Sequence, residues 1–429
     1  MDILILLATL FICFASGVPI AFSLGIAALV GALWIGIPIE AVMLKISDGV
    51  SKFAMLTIPF FVLAGAIMAE GGMARRLVAF ANVLIGLVRL RGGLSIVNVV
   101  ATTFLSGISG SSVADTSAIG SVLIPQMEKN GYSRVFATNV TISASVQAIL
   151  VPPSHNAVIY SLATGGTISI ISLFMAGVIP GLLLGLALVL LCLGFAYRDG
   201  HPKGEAMPLR QAVKLSIEAI WGLGTIVIII GGILGGVFTA IEAGAVACLY
   251  AFFVTMVIYR DYRWRDLPRL IHRTVRTVAM VMTLIAFASS FGYILALMQM
   301  PAKVTAFFLT LSTDKHVILM LINIMLLVLG CLMDMAPLIL ICTPILLPVV
   351  TGLGVDPVHF GIIMLLNLGI GLLTPPVGAT LFVGCAVGNV TMEQVMREIW
   401  PFYGVMFAVL MLVTYLPAIS LWLPRLLGL

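Results

Sequence analysis

Charged side chains are scarce in this chain. They make up 9% of its 429 residues, against 61% hydrophobic, and the mean hydropathy is +1.21. That balance excludes an ordinary soluble globular domain. No polar stretch is long enough to form a separate soluble domain either. The net charge of +5 sits in a few clusters beside apolar runs, which read as topology signals and not as nucleic-acid patches. Cysteine is sparse as well. Cys13, Cys192, Cys248, Cys331, Cys342 and Cys385 lie scattered in apolar segments without metal-ligand spacing. They read as small hydrophobes, with no disulfide framework. The N-terminus reads Met1-Asp2 and then runs apolar. It lacks the basic n-region of a cleavable signal, so it is expected to remain as a membrane segment.

Apolar runs, by contrast, recur from end to end. Each crossing needs about 20 residues, which leads to an expectation of about ten to twelve crossings plus two re-entrant hairpins. The first block, 3–36, is interrupted near Gly17-Val18-Pro19, as one broken helix or two short ones. Residues 40–52 read as a surface-lying amphipathic stretch. Spans follow at 53–70 and 76–90. A block at 94–127 is interrupted by the small residues of 106–112. A segment at 134–151 runs into Pro152-Pro153, followed by a short piece at 155–164 and a long span at 168–197. The polar linker 198–214 carries Arg198, Asp199, His201, Lys203, Glu205, Arg210 and Lys214. Beyond it come a block at 217–259 broken near Gly235-Gly236, a surface stretch at 260–276, and spans at 277–298 and 303–312. A re-entrant pair around 316–350, a broken helix at 358–388 and a last span at 396–424 complete the chain.

Two of these stretches share one helix-breaking pattern. Residues 107–165 map without a gap onto 330–388, a shift of 223. Gly107 falls on Gly330, Pro125 on Pro348, Gly131 on Gly354 and Gly165 on Gly388, and Pro152-Pro153 falls on Pro375-Pro376. Glycine and proline decide where helices break. Two membrane halves broken at matching positions point to a transporter's binding site. Arg89, Arg91, Lys129 and Arg134 flank the first hairpin and argue that it opens to the cytoplasm. The six arginines of 260–276 argue for the same side, whereas an inverted repeat would place them outside. The conflict turns on whether 217–259 crosses once or twice.

The double prolines carry the first chemistry. Proline has no N–H, so the carbonyls of Ala148 and Ile149 are expected to lose their helical partners, as are those of Gly371 and Leu372. Such carbonyls cannot face lipid, but they can line a cavity and hold a cation. Ser143, Ser145, Ser154, Thr374 and Thr380 place hydroxyls nearby. The hairpin tips are read as Ser106–Ser112 and, by the repeat, Leu329–Ala336. Ser106, Ser109, Ser111 and Ser112 offer hard oxygens suited to Na⁺ or to a hydroxylated or anionic substrate. The helix starting near Val113 aims its positive end at the tip, which suits a carboxylate. Asp334 matches Ser111 in the repeat; an acid in an apolar segment is a functional candidate for a cation, a proton or substrate. Asp115 reads more readily as a helix cap than as a ligand. Glu242 reads as a hinge or packing residue. His155 and Asn156 sit where a substrate hydrogen-bonder would sit, although a single histidine is more often structural.

Over essentially its whole length the chain resembles the large (M, DctM-type) membrane subunit of a tripartite ATP-independent periplasmic (TRAP) transporter. The segments that carry the resemblance are Gly17-Val-Pro-Ile-Ala21, Ile58-Pro-Phe-Phe-Val-Leu-Ala-Gly65, Ser109-Gly-Ser-Ser-Val-Ala-Asp-Thr116, Val151-Pro-Pro-Ser154, Leu173-Phe-Met-Ala-Gly177, Gly236-Val-Phe-Thr-Ala-Ile-Glu-Ala243 and Leu373-Thr-Pro-Pro-Val-Gly378. It implies an all-α polytopic membrane protein with two, inverted, structural repeats and the elevator-type fold of the ion transporter superfamily. It also implies Na⁺ coupling, a small four-helix membrane subunit, a periplasmic substrate-binding protein and a place in the bacterial inner membrane. One cation site is then expected at Ser106, Ser109 and the carbonyls near Ala148, Val151 and Pro153. A second is expected at the carbonyls near Gly330, Gly371 and Pro376, with Thr374. Substrate is expected near Ser109, Ser111, Ser154, His155, Asn156 and Asp334. The family's Pro-Pro-Ser is usually followed by an apolar stretch; here His155-Asn156 follows.

The resulting division of the chain is 1–93 and 166–315 as scaffold and connections, 94–165 and 316–388 as transport elements, and 389–429 as a C-terminal span. The function expected is Na⁺-coupled import of an organic acid anion: a sugar acid, a sialic acid or a C4-dicarboxylate. His155 and Asn156 tilt the choice towards a hydroxylated sugar acid. An anion channel is one alternative. A rhomboid-like intramembrane serine protease is another, because Gly107-Ile108-Ser109-Gly110 spells its GxSG tetrapeptide with His155 as base.

Overall fold

The computed structural model describes residues 2–88, 90–202 and 208–429. Arg89, Lys203 and Glu205 of the charge clusters lie outside the described residues. The first 88 residues give α1 (Asp2–Ala15), α2 (Ile20–Ile35), α3 (Ile39–Ser51), α4 (Thr57–Glu70) and α5 (Met73–Val88). Gly17, at φ +77°, turns the chain ahead of Pro19, so the first apolar block becomes two short helices packed together. Helix α3 is the amphipathic stretch, with Glu40 and Asp48 exposed.

The hairpin elements follow. They are α6 (Gly93–Ser109), α7 (Ser112–Lys129), α8 (Arg134–Ser145), the single turn α9 (Gln147–Leu150) and α10 (His155–Ala163). Helix α11 (Ile170–Arg198) then runs back antiparallel to the α8–α10 path. At one end the ring of Phe136 meets Phe195 at 5.2 Å, and the Gly92 N–H donates to the Pro202 carbonyl at 3.0 Å. At the other end Ser161 Oγ donates to the Ile168 carbonyl at 2.6 Å. Arg91, Lys129, Arg134 and Arg198 all belong to the first end. By the positive-inside rule that end is cytoplasmic, and the 161–170 end faces the other side.

Helix α12 (Leu209–Ile226) starts inside the stretch read as linker. It continues through a π-helical turn into α13 (Gly232–Leu234). The chain reverses at Gly235-Gly236 and returns as α14 (Ala240–Phe253), extended by a second π stretch to Tyr259. Tyr250 and Tyr259 donate to the carbonyls of Trp221 and Glu218, so the two legs lie side by side. The block 217–259 therefore doubles back, and residues 260–276 end on the α12 N-terminal side, where their arginines point. The surface stretch and the span expected after it are one helix, α15 (Leu267–Leu297). Helix α16 (Met300–Leu311) has only 12 residues, about 18 Å, too short for a crossing.

The remainder gives α17 (Lys315–Leu332), α18 (Met335–Gly352), α19 (Pro357–Gly371) and α20 (Ala379–Gly388). The last expected span is three helices: α21 (Met392–Glu398), α22 (Trp400–Tyr415), bent from α21 by 60°, and α23 (Ala418–Leu426). Among the described residues, seven helices are long and apolar enough to cross a membrane, or nine when each bent pair counts as one. That count falls below ten to twelve because many apolar runs are cut into helices of 9–17 residues. The exposed Phe11, Leu33, Leu87, Leu190, Leu249 and Phe307 spread over the outer faces. Such a surface suits lipid and not water. The chain is thus an all-helical, multi-pass membrane protein.

Packing sorts the helices into two groups. Helices α6–α11 and α17–α23 pack mainly on one another, with α11 against α6, α19, α22 and α23. The remaining helices, α1–α5 and α12–α16, meet that body along α4, α5, α12, α15 and α16, with α5 packed on α6 as closely as on α12 and α16 packed mainly on α18.

Candidate functional site

The first tip is narrower than the composition of 106–112 implies. Helix α6 runs through Ser106 to Ser109, and α7 begins at Ser112. Only Gly110, at φ +61°, and extended Ser111 lie between them. Asp115 explains the added turn of helix. Ser106 Oγ donates to Asp115 Oδ2 at 2.7 Å, and Ser109 Oγ donates to the other carboxylate oxygen. Ser111, not Asp115, is the N-cap, its Oγ accepting from the Ala114 N–H at 3.4 Å. The reading of Asp115 as a cap is therefore corrected. It is fully buried and clamps the two legs of the hairpin together. A carboxyl group in such surroundings requires either a cation beside it or a proton on it. Sequence reasoning undervalued it because its partners come from across the turn.

The first break lies against this tip. The chain passes from α9 through extended Val151 to Pro152-Pro153, whose peptide bond is cis, and α10 starts at His155. Ser154 caps α10 by accepting the Ala157 N–H at 3.4 Å. The Val151 N–H reaches Gln147 at 2.8 Å. Among the described residues no backbone N–H outside the helices donates to the Ala148 or Ile149 carbonyls, as the missing proline donors require. Gly110 packs so closely on this break that a Cβ there would run into the Pro153 carbonyl. His155 is half-buried and Asn156 buried. Ser143 Oγ is buried without a partner, and Ser145 accepts from Thr116 at 2.8 Å.

The second tip has a different chemistry. Met333 and Asp334 form the break, inside the Leu329–Ala336 window. Asp334 holds the N-cap position of α18, yet its side chain makes no capping bond, and it is exposed. The hairpin meets its broken helix through glycines: a Cβ on Gly371 would lie 2.8 Å from the Gly330 Cα. The Val377 N–H donates to the Cys331 carbonyl at 3.1 Å. Pro375-Pro376 is also joined by a cis bond, and α20 begins at Ala379.

Here the expected free carbonyls are corrected. Gly371 accepts from the Thr374 N–H at 2.9 Å, and Leu372 from the Leu381 N–H at 3.3 Å. The chain tightens into a three-residue turn, and the start of α20 folds over it. Thr374 Oγ1 donates to the Ile370 carbonyl at 3.1 Å, and the Tyr403 hydroxyl to Leu373 at 2.7 Å. Each carbonyl keeps a second lone pair, so ligation is not blocked. A buried contact of 3.0 Å between Ser112 Oγ and Thr380 Oγ1 joins the two halves.

The structure thus gathers Ser106 and Ser109 with Asp115, sets Ala148, Val151 and Pro153 on the first break, and brings Gly330 onto the second break with Gly371, Thr374 and Pro376. Ser111 and Ser154 serve as caps and keep their own hydroxyl protons. The donor set is hard oxygen throughout, the type that suits Na⁺ better than a transition metal.

The family described as "Tripartite ATP-independent periplasmic transporter, DctM component" matches residues 7–419. The chain is 38% identical to the C4-dicarboxylate TRAP transporter large permease protein DctM of Rhodobacter capsulatus, covering all of both chains. It is 41% identical to the uncharacterized protein YgiK of Salmonella typhimurium over 99% of this chain and 97% of that one. It is 37% identical to the sialic acid TRAP transporter large permease protein SiaM of Vibrio cholerae over 96% of each. The solved structure of the Alcanivorax borkumensis YdaH transporter aligns with a TM-score of 0.52 at 16% identity, covering 91% of this chain and 88% of that one. That of Neisseria gonorrhoeae MtrF aligns at 0.53 and 13%, covering 87% and 84%. At those identities the likeness concerns the fold alone. The sequence relatives are transporter permeases and not enzymes, so the GxSG match at Ser109 is coincidental. With breaks, hairpins and sequence in agreement, the chain belongs to the DctM family of large membrane subunits of tripartite ATP-independent periplasmic transporters.

Proposed function

We propose that this subunit is the permease of a Na⁺-coupled importer of an organic acid anion in the bacterial inner membrane. It works with a small four-helix membrane subunit and a periplasmic binding protein that delivers substrate. The observation that carries this reading is the seating of each hairpin tip on a double-proline break: Gly110 on Pro153, and Gly330 on Gly371. Both seats fall in windows related by the 223-residue shift, and α3 lies at the opposite end of the molecule from its counterpart 262–274, which supports two inverted repeats facing each other across the middle of the membrane. The names of the relatives, which include C4-dicarboxylate, sialic acid and 2,3-diketo-L-gulonate transporters, support the substrate class.

In this mechanism one Na⁺ binds where Ser106, Ser109 and the free carbonyls of the first break converge, with Asp115 supplying negative charge. A second binds at the Gly330–Gly371 seat beside Thr374 and Pro376. Substrate lodges between the tips, near Ser109, Ser111, Ser154, His155, Asn156 and Asp334. Asp334 is exposed and makes no ion pair among the described residues, which suits an acceptor for substrate hydroxyls or a site for a coupling ion. The body formed by α6–α11 and α17–α23 then slides against the other helices. Coupling is the difference in ion affinity between the two positions.

The test is uptake by proteoliposomes holding the subunit with its small partner and binding protein, under an inward Na⁺ gradient. Saturable uptake of a labelled organic acid that needs both Na⁺ and the binding protein is expected. Ser109→Ala and Thr374→Ala should weaken Na⁺-driven uptake while assembly is preserved. Fast flux without gradient or binding protein would replace the reading with a channel.

A further inference from the structure

A cavity of about 310 Å³ lies at the seam between the two helical groups, lined by residues outside either tip. Helices α3 and α15 form one wall, with Gly49, Ile285, Ser289 and Gly292. Leu162, Ala163 and Gly165 after α10, and Leu340 and Pro344 of α18, form the other. It opens at the 161–170 end of the molecule, opposite the arginine-rich cytoplasmic end. Its mouth carries Lys45, Asp48 and Lys52. The two lysines differ in their commitments. Lys45 pairs with Asp48 at 3.3 Å and lies 5.4 Å from the Tyr293 ring centre. Lys52, at the end of α3, is exposed and makes no ion pair among the described residues.

The floor points inward. Leu340 and Pro344 sit six and ten residues beyond Asp334 on the same helix. At a rise of about 1.5 Å per residue, the cavity begins about 9–15 Å from the second tip. A largely apolar chamber with one uncommitted ammonium at its mouth and one hydroxyl, Ser289, whose proton goes to the Ile285 carbonyl at 2.9 Å, suits a small organic anion with an aliphatic or ring body.

We propose that this cavity is an entry vestibule that holds the organic acid before it reaches the hairpins, with Lys52 as the carboxylate contact. The inference rests on the import reading above. The charge raises the local concentration of anion at the mouth and falls away with ionic strength. The apolar walls then keep the substrate body against α18, which leads to Asp334.

The experiment measures Na⁺-driven uptake by the reconstituted complex with labelled succinate, gluconate and sialic acid, using whichever gives the largest signal. Lys52→Glu should raise KM about tenfold with little loss of maximal rate, and Lys52→Arg should restore the wild-type value. The salt dependence of KM should flatten in Lys52→Glu. Gly292→Cys provides an independent readout, since a Cβ there meets only Pro344 Cγ, at 4.0 Å. In a background lacking the six native thiols, substrate should slow its reaction with a water-soluble thiol reagent. Wild-type KM in Lys52→Glu, or slowing of the reagent equally by chloride, would overturn the vestibule while leaving import standing. Absence of uptake of all three acids by the wild-type complex would overturn both, and only that result touches the import reading.

Discussion

Glycine at two contacts decides whether the hairpins can seat at all. Gly110 combines a left-handed φ with a backbone neighbour where a side chain would go, so neither the torsion nor the space tolerates alanine. Gly110→Ala is expected to cost about 1–3 kcal/mol and to lower the melting temperature of the purified protein together with its uptake. Gly371→Ala meets the Gly330 backbone at 2.8 Å and should act in the same direction. A melting temperature unchanged in both would show that the seats are looser than they look. His201 makes a different prediction, outside the membrane. Its ring lies 4.4 Å from that of Tyr132, tilted by 42°, and its partial burial pulls the imidazole below its ordinary 6.5, against an opposing pull from Asp199. Since the unfolded chain takes up the proton first, this contact stabilises above that value and weakens as the pH falls below it. The protection factor of the 198–202 amides, their exchange corrected for its own base catalysis, should therefore fall between about pH 7 and pH 5 in the wild type and stay flat in His201→Phe.

At the level of elements, the two breaks resemble each other in sequence more than in hydrogen bonding. Missing N–H groups were readable from Pro152-Pro153 and Pro375-Pro376 alone, and so were the helices on either side. What filled the gaps was not readable. The Gly371 carbonyl takes its donor from Thr374 through a tightened turn, and Leu372 takes its own from the returning helix. Both depend on a backbone path that proline spacing does not specify. The same holds for Asp115, whose role emerges only when α6 and α7 fold together. The asymmetry is testable. Pro152→Ala restores a donor for the unfilled Ala148 carbonyl, whereas Pro375→Ala competes for one already filled. Half-maximal Na⁺ for uptake should rise about tenfold in the first and clearly less in the second. Equal shifts would mean that carbonyl availability does not set ion affinity. The short α16 and the merged α15 were missed for a related reason: apolar length was legible, but the points of helix breakage were not all marked by proline or glycine.

For the molecule as a whole, the family and the helical membrane class were legible end to end, because composition and the Pro and Gly spacing act over hundreds of residues. The grouping into two packed bodies was not, since α11 and α22 join the hairpins through contacts far apart in sequence. Sliding between those bodies predicts that a covalent staple across the seam stops transport. Gly292→Cys with Pro344→Cys places two thiols within reach of a short bifunctional reagent. Cross-linking should abolish uptake, and reductive cleavage of the linker should return it; uptake that survives a complete staple would rule out sliding at this seam. Helix α15 has 31 residues, and so a length of about 46 Å, whereas the hydrocarbon layer is about 30 Å thick. Its first ten residues carry Arg269, His272, Arg273 and Arg276 and reach out of that layer, which leaves 277–297, about 31 Å, to cross it. A span so closely matched tilts when the layer around it thins. Ser289 and Gly292 ride on that span, so shorter acyl chains are expected to tilt the wall of the seam they form, and uptake by vesicles of graded lipid length reads that coupling of bilayer thickness to transport.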